Sequence, residues 1–154
     1  MNKIYYSLGL MSGTSLDGID ASIIKSDGEN ELEIIDNSYK EYDQNLKNSL
    51  HQLINEIKNL EDLKKRSEKI KKIEQELTIE HVNLSSLLID KNKDIHIDFV
   101  GFHGHTIIHK PKNGYSIQIG DPELLSKKIK KKVFFNFRKK DILNGGEGAP
   151  LSPI

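Results

Sequence analysis

The chain has 154 residues, 23 basic and 23 acidic side chains, zero formal net charge and no cysteine. Balanced charge argues against a dedicated nucleic-acid binder, and the absence of Cys excludes disulfides, thiolate zinc sites and thiol nucleophiles, which fits a cytoplasmic protein. The length suits one domain with a real core, and neither a signal peptide nor an apolar run long enough to span a membrane is visible.

Residues 3–11 (KIYYSLGLM) and 18–26 (GIDASIIKS) read as strands, the second with Ile19, Ala21 and Ile23 alternating with Asp20, Ser22 and Ile24. A turn at 26–30 (SDGEN) leads to a third, half-exposed strand over 31–42. Short connections predict an antiparallel meander. Asp43 then stands where a helix N-cap belongs, ahead of Leu46, Leu50, Leu53, Ile54 and Ile57 at helical spacing. A second, longer amphipathic helix is expected from about Glu61 to Ile89, lying on a sheet rather than in a coiled coil.

The stretch 94–109 (DIHIDFVGFHGHTIIH) opens with alternating Ile95, Ile97 and Phe99, and is expected to end in a glycine- and histidine-rich corner. A short strand at 115–120 (YSIQIG) follows. Asp121 as N-cap, Pro122 at the first helical position and lysines at the far end then mark a helix over 121–132. Residues 133–137 (VFFNF) read as a last strand, and the glycine- and proline-rich tail to Ile154 as a loop. The order β-β-β-α-α-β-(β)-α-β predicts an α/β protein with a mixed sheet and helices on its faces.

Two stretches carry chemistry. In MSGTSLDG, glycines expose backbone N–H groups beside the hydroxyls of Ser12, Thr14 and Ser15, a pattern that binds phosphate. Asp17 and Asp20 are placed to hold a phosphate-bound Mg²⁺, directly or through water. A wide hairpin whose Ser and Asp side chains cap their own backbone is an equally good reading of the spacing. The pattern is neither a Walker loop nor a dinucleotide fingerprint. In GFHGHTIIH, His103 and His105 share a face on an extended strand, the arrangement of a His-x-His metal hydrolase. The preferred reading, ahead of a metal site, is a polar strand end that bonds a ligand or the neighbouring loop. Arg138, in FRKKD, has the side chain to clamp a carboxylate or phosphate in a bidentate manner.

Taken together, GLMSGTSLDGIDA, GFHGHTIIHKP, SIQIGDPELL and NFRKKDILNGGEGAPLSP resemble the anhydro-N-acetylmuramic acid kinases, within the superfamily of sugar kinases, actin and heat-shock ATPases. The resemblance runs the length of the chain. It implies a ribonuclease-H-like lobe, ATP and Mg²⁺ as cofactors, and an anhydro-sugar substrate whose ring opens as its freed oxygen takes the γ-phosphoryl group. By this resemblance Gly13, Thr14, Ser15, Leu16, Asp17, Gly18, Ile19 and Asp20 form the ATP-phosphate segment, with Asp17 near Mg²⁺. His103, Thr106 and Arg138 line the sugar side, Arg138 near the lactyl carboxylate. The family's pattern has Gln at His105 and Asp at Asn136; a neutral Asn there supplies no carboxylate for metal or base work.

Family enzymes are more than twice as long. Residues 1–154 therefore read as one N-terminal lobe, with 137–154 leading toward a second lobe that carries the general-base aspartate. The expected partners are a small-molecule substrate and a second-lobe polypeptide or a second copy, with no nucleic acid and no membrane. The competing function is a non-catalytic nucleotide-binding remnant.

Overall fold

The computed structural model describes residues 3–149; the Pro150–Ile154 end of the tail lies outside the described residues. Strands β1 (Tyr5–Ser12), β2 (Gly18–Ser26) and β3 (Leu32–Glu41) form the antiparallel meander expected from their alternation. Three helices follow: α1 (Gln44–Glu56), α2 (Leu60–Lys65) and α3 (Ser67–Lys91). They carry the chain across to β4 (Phe99–Lys110), which lies parallel to β1, and a tight turn then reverses it into β5 (Tyr115–Ile119). Helix α4 (Pro122–Ile129), the two-residue strand β6 (Val133–Phe134) and helix α5 (Phe137–Leu143) complete the described chain. The sheet order is β3-β2-β1-β4-β5, with β6 pairing the first half of β4. This is the mixed α/β sheet anticipated from the sequence.

The core lies on one face of that sheet. Leu8 and Leu10 of β1, Ile19, Ala21 and Ile23 of β2, and Val100 and Phe102 of β4 are buried there. They meet Leu46, Leu50 and Leu53 of α1, Ile73, Leu77, Leu84 and Leu88 of α3, and Leu125 of α4. Asp43 and Asp121 cap α1 and α4 as predicted, accepting from the amides of Leu46 and Leu124 at 2.9 and 2.8 Å.

Several expectations are corrected. The long helix from Glu61 breaks at Arg66, where Arg66 Nε and Lys69 Nζ both reach Glu56, at 2.9 and 3.0 Å, and fasten the start of α3 to the end of α1. Strand β4 begins later than expected and has no terminal corner: it runs on to Lys110 through a bulge. The strand expected over 133–137 stops at Phe134, because Asn136 turns the chain with φ 67°. The tail opens as helix α5 rather than as a loop, with Ile142 buried against the body of the protein.

Candidate functional site

The bend between β1 and β2 is built around two residues. Leu16 takes a left-handed φ of 62° and buries its side chain, and its amide bonds Gly13 O at 3.2 Å. Gly18 lies so close to β3 that a Cβ there would stand 2.2 Å from Lys40 O, so only glycine lets the bend tuck against that strand. Tyr42 N donates to Asp17 O at 3.1 Å and closes the base. Thr14 and Ser15 are left exposed at the tip, with no hydrogen bond from either side chain to another described residue. Of the two acidic candidates, Asp17 pairs with Lys47 of α1 at 3.5 Å. Asp20 is exposed on β2, opposite Met11 and beside Tyr39. No group of three His, Asp or Glu side chains suited to one metal ion occurs among the described residues.

The two strand histidines do not share a face. Leu10 pairs with Phe102 and Ser12 with His105, so β4 inserts one residue at this point. Gly104 absorbs it with φ 68°, and a Cβ there would lie 2.4 Å from Ile119 O. An extra residue inverts the alternation beyond it. His105 therefore enters the core beside Ser12, whereas His103 stays on the opposite face, and the His-x-His metal arrangement is not formed.

His103 meets Arg138 instead. Its Nδ1 donates to Gly104 O at 3.0 Å, which leaves Nε2 as an acceptor for Arg138 Nε at 2.9 Å. Arg138 Nη1 donates to Gly148 O at 3.0 Å. Asp141 holds the same glycine loop by accepting from Gly148 N at 2.7 Å. Burial, and secondarily the Arg138 charge, lower the His103 pKa and favour this neutral tautomer, although the Gly104 carbonyl opposes them. Arg138 has five N–H donors, of which two are used among the described residues. Thr106 is nearly buried, accepts from Gln118 Nε2 at 3.2 Å and bonds neither His103 nor Arg138.

A buried polar chain that sequence reading missed anchors the base of the bend. Tyr42 OH lies 2.5 Å from Ser12 Oγ, which lies 2.8 Å from His105 Nδ1. His81 of α3 packs edge-on against Phe102 and donates from Nδ1 to Leu77 O at 2.8 Å. Nε2 of both rings is buried without a partner among the described residues. Burial holds both imidazoles neutral and lowers their pKa values from 6.5 to about 4; it also pushes the Tyr42 hydroxyl well above its ordinary range.

An acid-stability profile follows from these two rings. The unfolded chain takes up protons near pH 6.5 that the folded chain refuses until about pH 4, so stability is full above that window and is lost through it as pH falls. Each ring is expected to contribute a slope of up to about 1.4 kcal/mol per pH unit. Urea unfolding at pH 7, 6, 5 and 4 measures it. The pair of substitutions His81→Leu and His105→Gln should flatten the profile, and an unchanged slope would reject this origin.

The sequence model of the family described as anhydro-N-acetylmuramic acid kinase matches residues 5–154. A kinase of that name from Pelagibacter ubique is 50% identical over 154 residues, covering 100% of this chain and 41% of the relative. Its counterpart in Gluconobacter oxydans is 39% identical over 149 residues, with 97% of this chain and 40% of the relative covered. That of Rhodopseudomonas palustris strain HaA2 is 36% identical over 150 residues, with 96% and 41% covered. The chain thus spans about two fifths of the length of the curated relatives it matches. No described helix is long and apolar enough to cross a membrane. With the matched segment running through the bend, the bulged strand and the Arg138 helix alike, the chain belongs to the anhydro-N-acetylmuramic acid kinase family.

Proposed function

We propose that this chain supplies the phosphate-gripping and sugar-positioning lobe of an ATP-dependent kinase acting in the cytoplasm on 1,6-anhydro-N-acetylmuramic acid. The observation that carries the reading is a coincidence of place. The Gly13–Gly18 bend leaves the end of β1, and His103 with its Arg138 partner sits one residue past the Leu10–Phe102 pair on the neighbouring strand. A nucleotide tail and an anionic sugar held at these two features would meet at one end of the sheet.

The roles follow from the side chains present. Gly13 carries no side chain to obstruct an oxyanion, and a Cβ there would meet only Ser15 Oγ, at 3.5 Å. Thr14 and Ser15 hydroxyls and the backbone N–H groups of the bend would donate to phosphate oxygens. Leu16, Gly18 and Ile19 hold the bend's shape from within, since all three are buried. Bound Mg²⁺ would neutralise triphosphate charge. Asp20, exposed and without an ion pair among the described residues, fits a water-mediated ligand; Asp17 would have to release Lys47 to serve. Arg138 would orient the substrate carboxylate, His103 would hold Arg138, and Thr106 would back this side of the cleft.

In the reaction so assigned, water adds to the anomeric carbon as its bond to the bridging oxygen breaks. That oxygen bonds the γ-phosphorus as the β–γ bridge to ADP breaks. The proton lost by water goes to a base that this chain does not contribute. The residues here bind and align; alignment of the reacting groups at contact distance is the larger part of such catalysis.

The expected result is ADP release coupled to sugar 6-phosphate formation when residues 1–154 are joined to the remaining part of the Pelagibacter ubique relative, and no turnover by the 154-residue chain alone. ATP binding without sugar phosphorylation by the joined protein would favour a non-catalytic nucleotide-binding remnant.

A further inference from the structure

Little inside the bend fixes its shape. Between Ser12, where β1 ends, and Gly18, where β2 begins, the internal backbone bond among the described residues is Leu16 N to Gly13 O, at 3.2 Å. The exposed side chains of Thr14 and Ser15 add none. Leu16 nevertheless holds a left-handed φ of 62°, a conformation that a branched side chain keeps only where its surroundings impose it.

The restraint comes from Tyr42, which grips the bend at both ends. Its amide donates to Asp17 O at 3.1 Å, and its hydroxyl lies 2.5 Å from Ser12 Oγ. Tyr42 is itself fixed: Glu41 before it pairs with Gly18, Asp43 after it caps α1, and its side chain is buried. The length of one tyrosine therefore sets the separation of residues 12 and 17, the mouth of the bend.

Acidity orders the two hydroxyls. A phenol is a stronger acid than an alkyl alcohol, hence the better donor and the poorer acceptor. Tyr42 O–H accordingly donates to Ser12 Oγ, and Ser12 O–H donates to Nδ1 of the neutral His105 at 2.8 Å. Ser12 is buried and has committed its single proton to His105, so it has none for a phosphate oxygen. It does not join Thr14 and Ser15 as the phosphate donor that its place in the motif suggests; its hydroxyl is the middle link of a brace.

We infer that Tyr42 is a positioning residue for the nucleotide: by bracing residues 12 and 17, with Ser12 and His105 as its support, it holds the N–H groups of the bend in place before the triphosphate arrives. Donors set in advance need no rearrangement when charge reaches them. The inference rests on the reading of the bend as the phosphate site and adds to it a residue from outside the bend.

Tyr42→Phe keeps the ring and the backbone amide and removes only the hydroxyl. In the fusion to the remaining part of the Pelagibacter ubique relative, calorimetry should show Kd for ATP raised about tenfold, the scale of one lost hydrogen bond, and Kd for the anhydro-sugar within about twofold of the parent. His105→Leu, which takes the acceptor from Ser12, should raise Kd for ATP to a similar degree; His105→Gln, which returns an acceptor, should recover most of that loss. Thr78→Val controls for lost stability. It deletes another buried hydroxyl, bonded to Glu74 O and to the amide of Asp121, and should lower the melting temperature without moving either Kd. In the 154-residue chain, amide hydrogen exchange read by NMR should quicken about tenfold at Leu16 in Tyr42→Phe, on the same scale. It should stay unchanged at Gly114, whose amide closes the turn between β4 and β5.

Parental Kd for ATP together with parental exchange at Leu16 overturns the inference and leaves the proposed function standing. Faster exchange with a parental Kd, or no ATP bound by the unsubstituted fusion, overturns the reading of the bend on which the inference rests. A raised Kd without faster exchange also defeats the inference, since the hydroxyl would then act other than through the bend. So does a rise in both Kd values, or an equal rise in Thr78→Val, either of which would make the brace merely structural. None of these measurements depends on turnover, so they separate failure of this inference from failure of the sugar chemistry.

Discussion

Gly104→Ala is expected to destabilise the protein by about 3–5 kcal/mol, which for a chain of this size corresponds to a melting point lower by about 10 °C. Two costs add. A left-handed φ of 68° carries a penalty of about 1–2 kcal/mol for any residue with a Cβ. Beyond that, the new Cβ would stand 2.4 Å from the carbonyl oxygen of Ile119, and this is backbone of the neighbouring strand, which can yield only by moving β5. Gly28 separates the two contributions. It has φ 81° but no atom within 4 Å of a Cβ, so Gly28→Ala should cost about 1 kcal/mol and Gly28→Asn close to nothing. At position 104, Asn should be no better than Ala, because the Ile119 carbonyl excludes any Cβ. Urea midpoints of the four variants test this, and a Gly104→Ala protein within 1 kcal/mol of the parent would show that the bulge can shift at little cost. The bulge also sets the parity of the strand: it delivers His103 to Arg138 and His105 to Ser12 on opposite faces.

That bulge also marks where reading the sequence stopped working. Local signals were legible. Alternation marks the three-strand meander, Asp43 and Asp121 mark the helix starts, and the density of Gly, Ser, Thr and Asp at 13–20 marks the bend between β1 and β2. What local patterns do not encode is parity after an insertion. His103 and His105 look like a pair until one residue of slip, imposed by pairing with β1, separates them. The break between α2 and α3 depends on Glu56, ten residues from Arg66, and α5 on the docking of one side chain, Ile142. The buried chain of Tyr42, Ser12 and His105 joins positions 30 and 93 residues apart, and none of the three carries a local signature of a network. Gly9 and Gly101 read individually as unremarkable strand glycines; only the register sets them side by side. Distance in sequence, rather than weakness of signal, is the common cause.

Arg138→Lys is expected to lower kcat/KM for the anhydro-sugar about 100-fold in the fusion with the second part of the relative, equivalent to about 3 kcal/mol of transition-state stabilisation. Charge is conserved in that substitution, so the loss isolates geometry. The guanidinium is held at two points, Nε on His103 Nε2 at 2.9 Å and Nη1 on Gly148 O at 3.0 Å, and this leaves its remaining N–H groups in a fixed direction. An ammonium on a flexible stem has no planar fork with which to bridge both anchors and still face a carboxylate. His103→Gln, which retains an acceptor for Arg138, should lose far less, about fivefold on the scale of one weakened hydrogen bond. His103 adds a pH signature. Burial and the adjacent Arg138 charge hold its pKa below the ordinary 6.5, so at neutral pH Nε2 is free to accept. As pH falls through that lowered value, protonation removes the acceptor and sets a second cation against the guanidinium, and KM for the sugar should rise while KM for ATP does not. The split between the two substrates is the deciding measurement. If Arg138→Lys raised KM for ATP and left the sugar's unchanged, the arginine would belong to the triphosphate, and the carboxylate would have to be held by a residue outside this lobe.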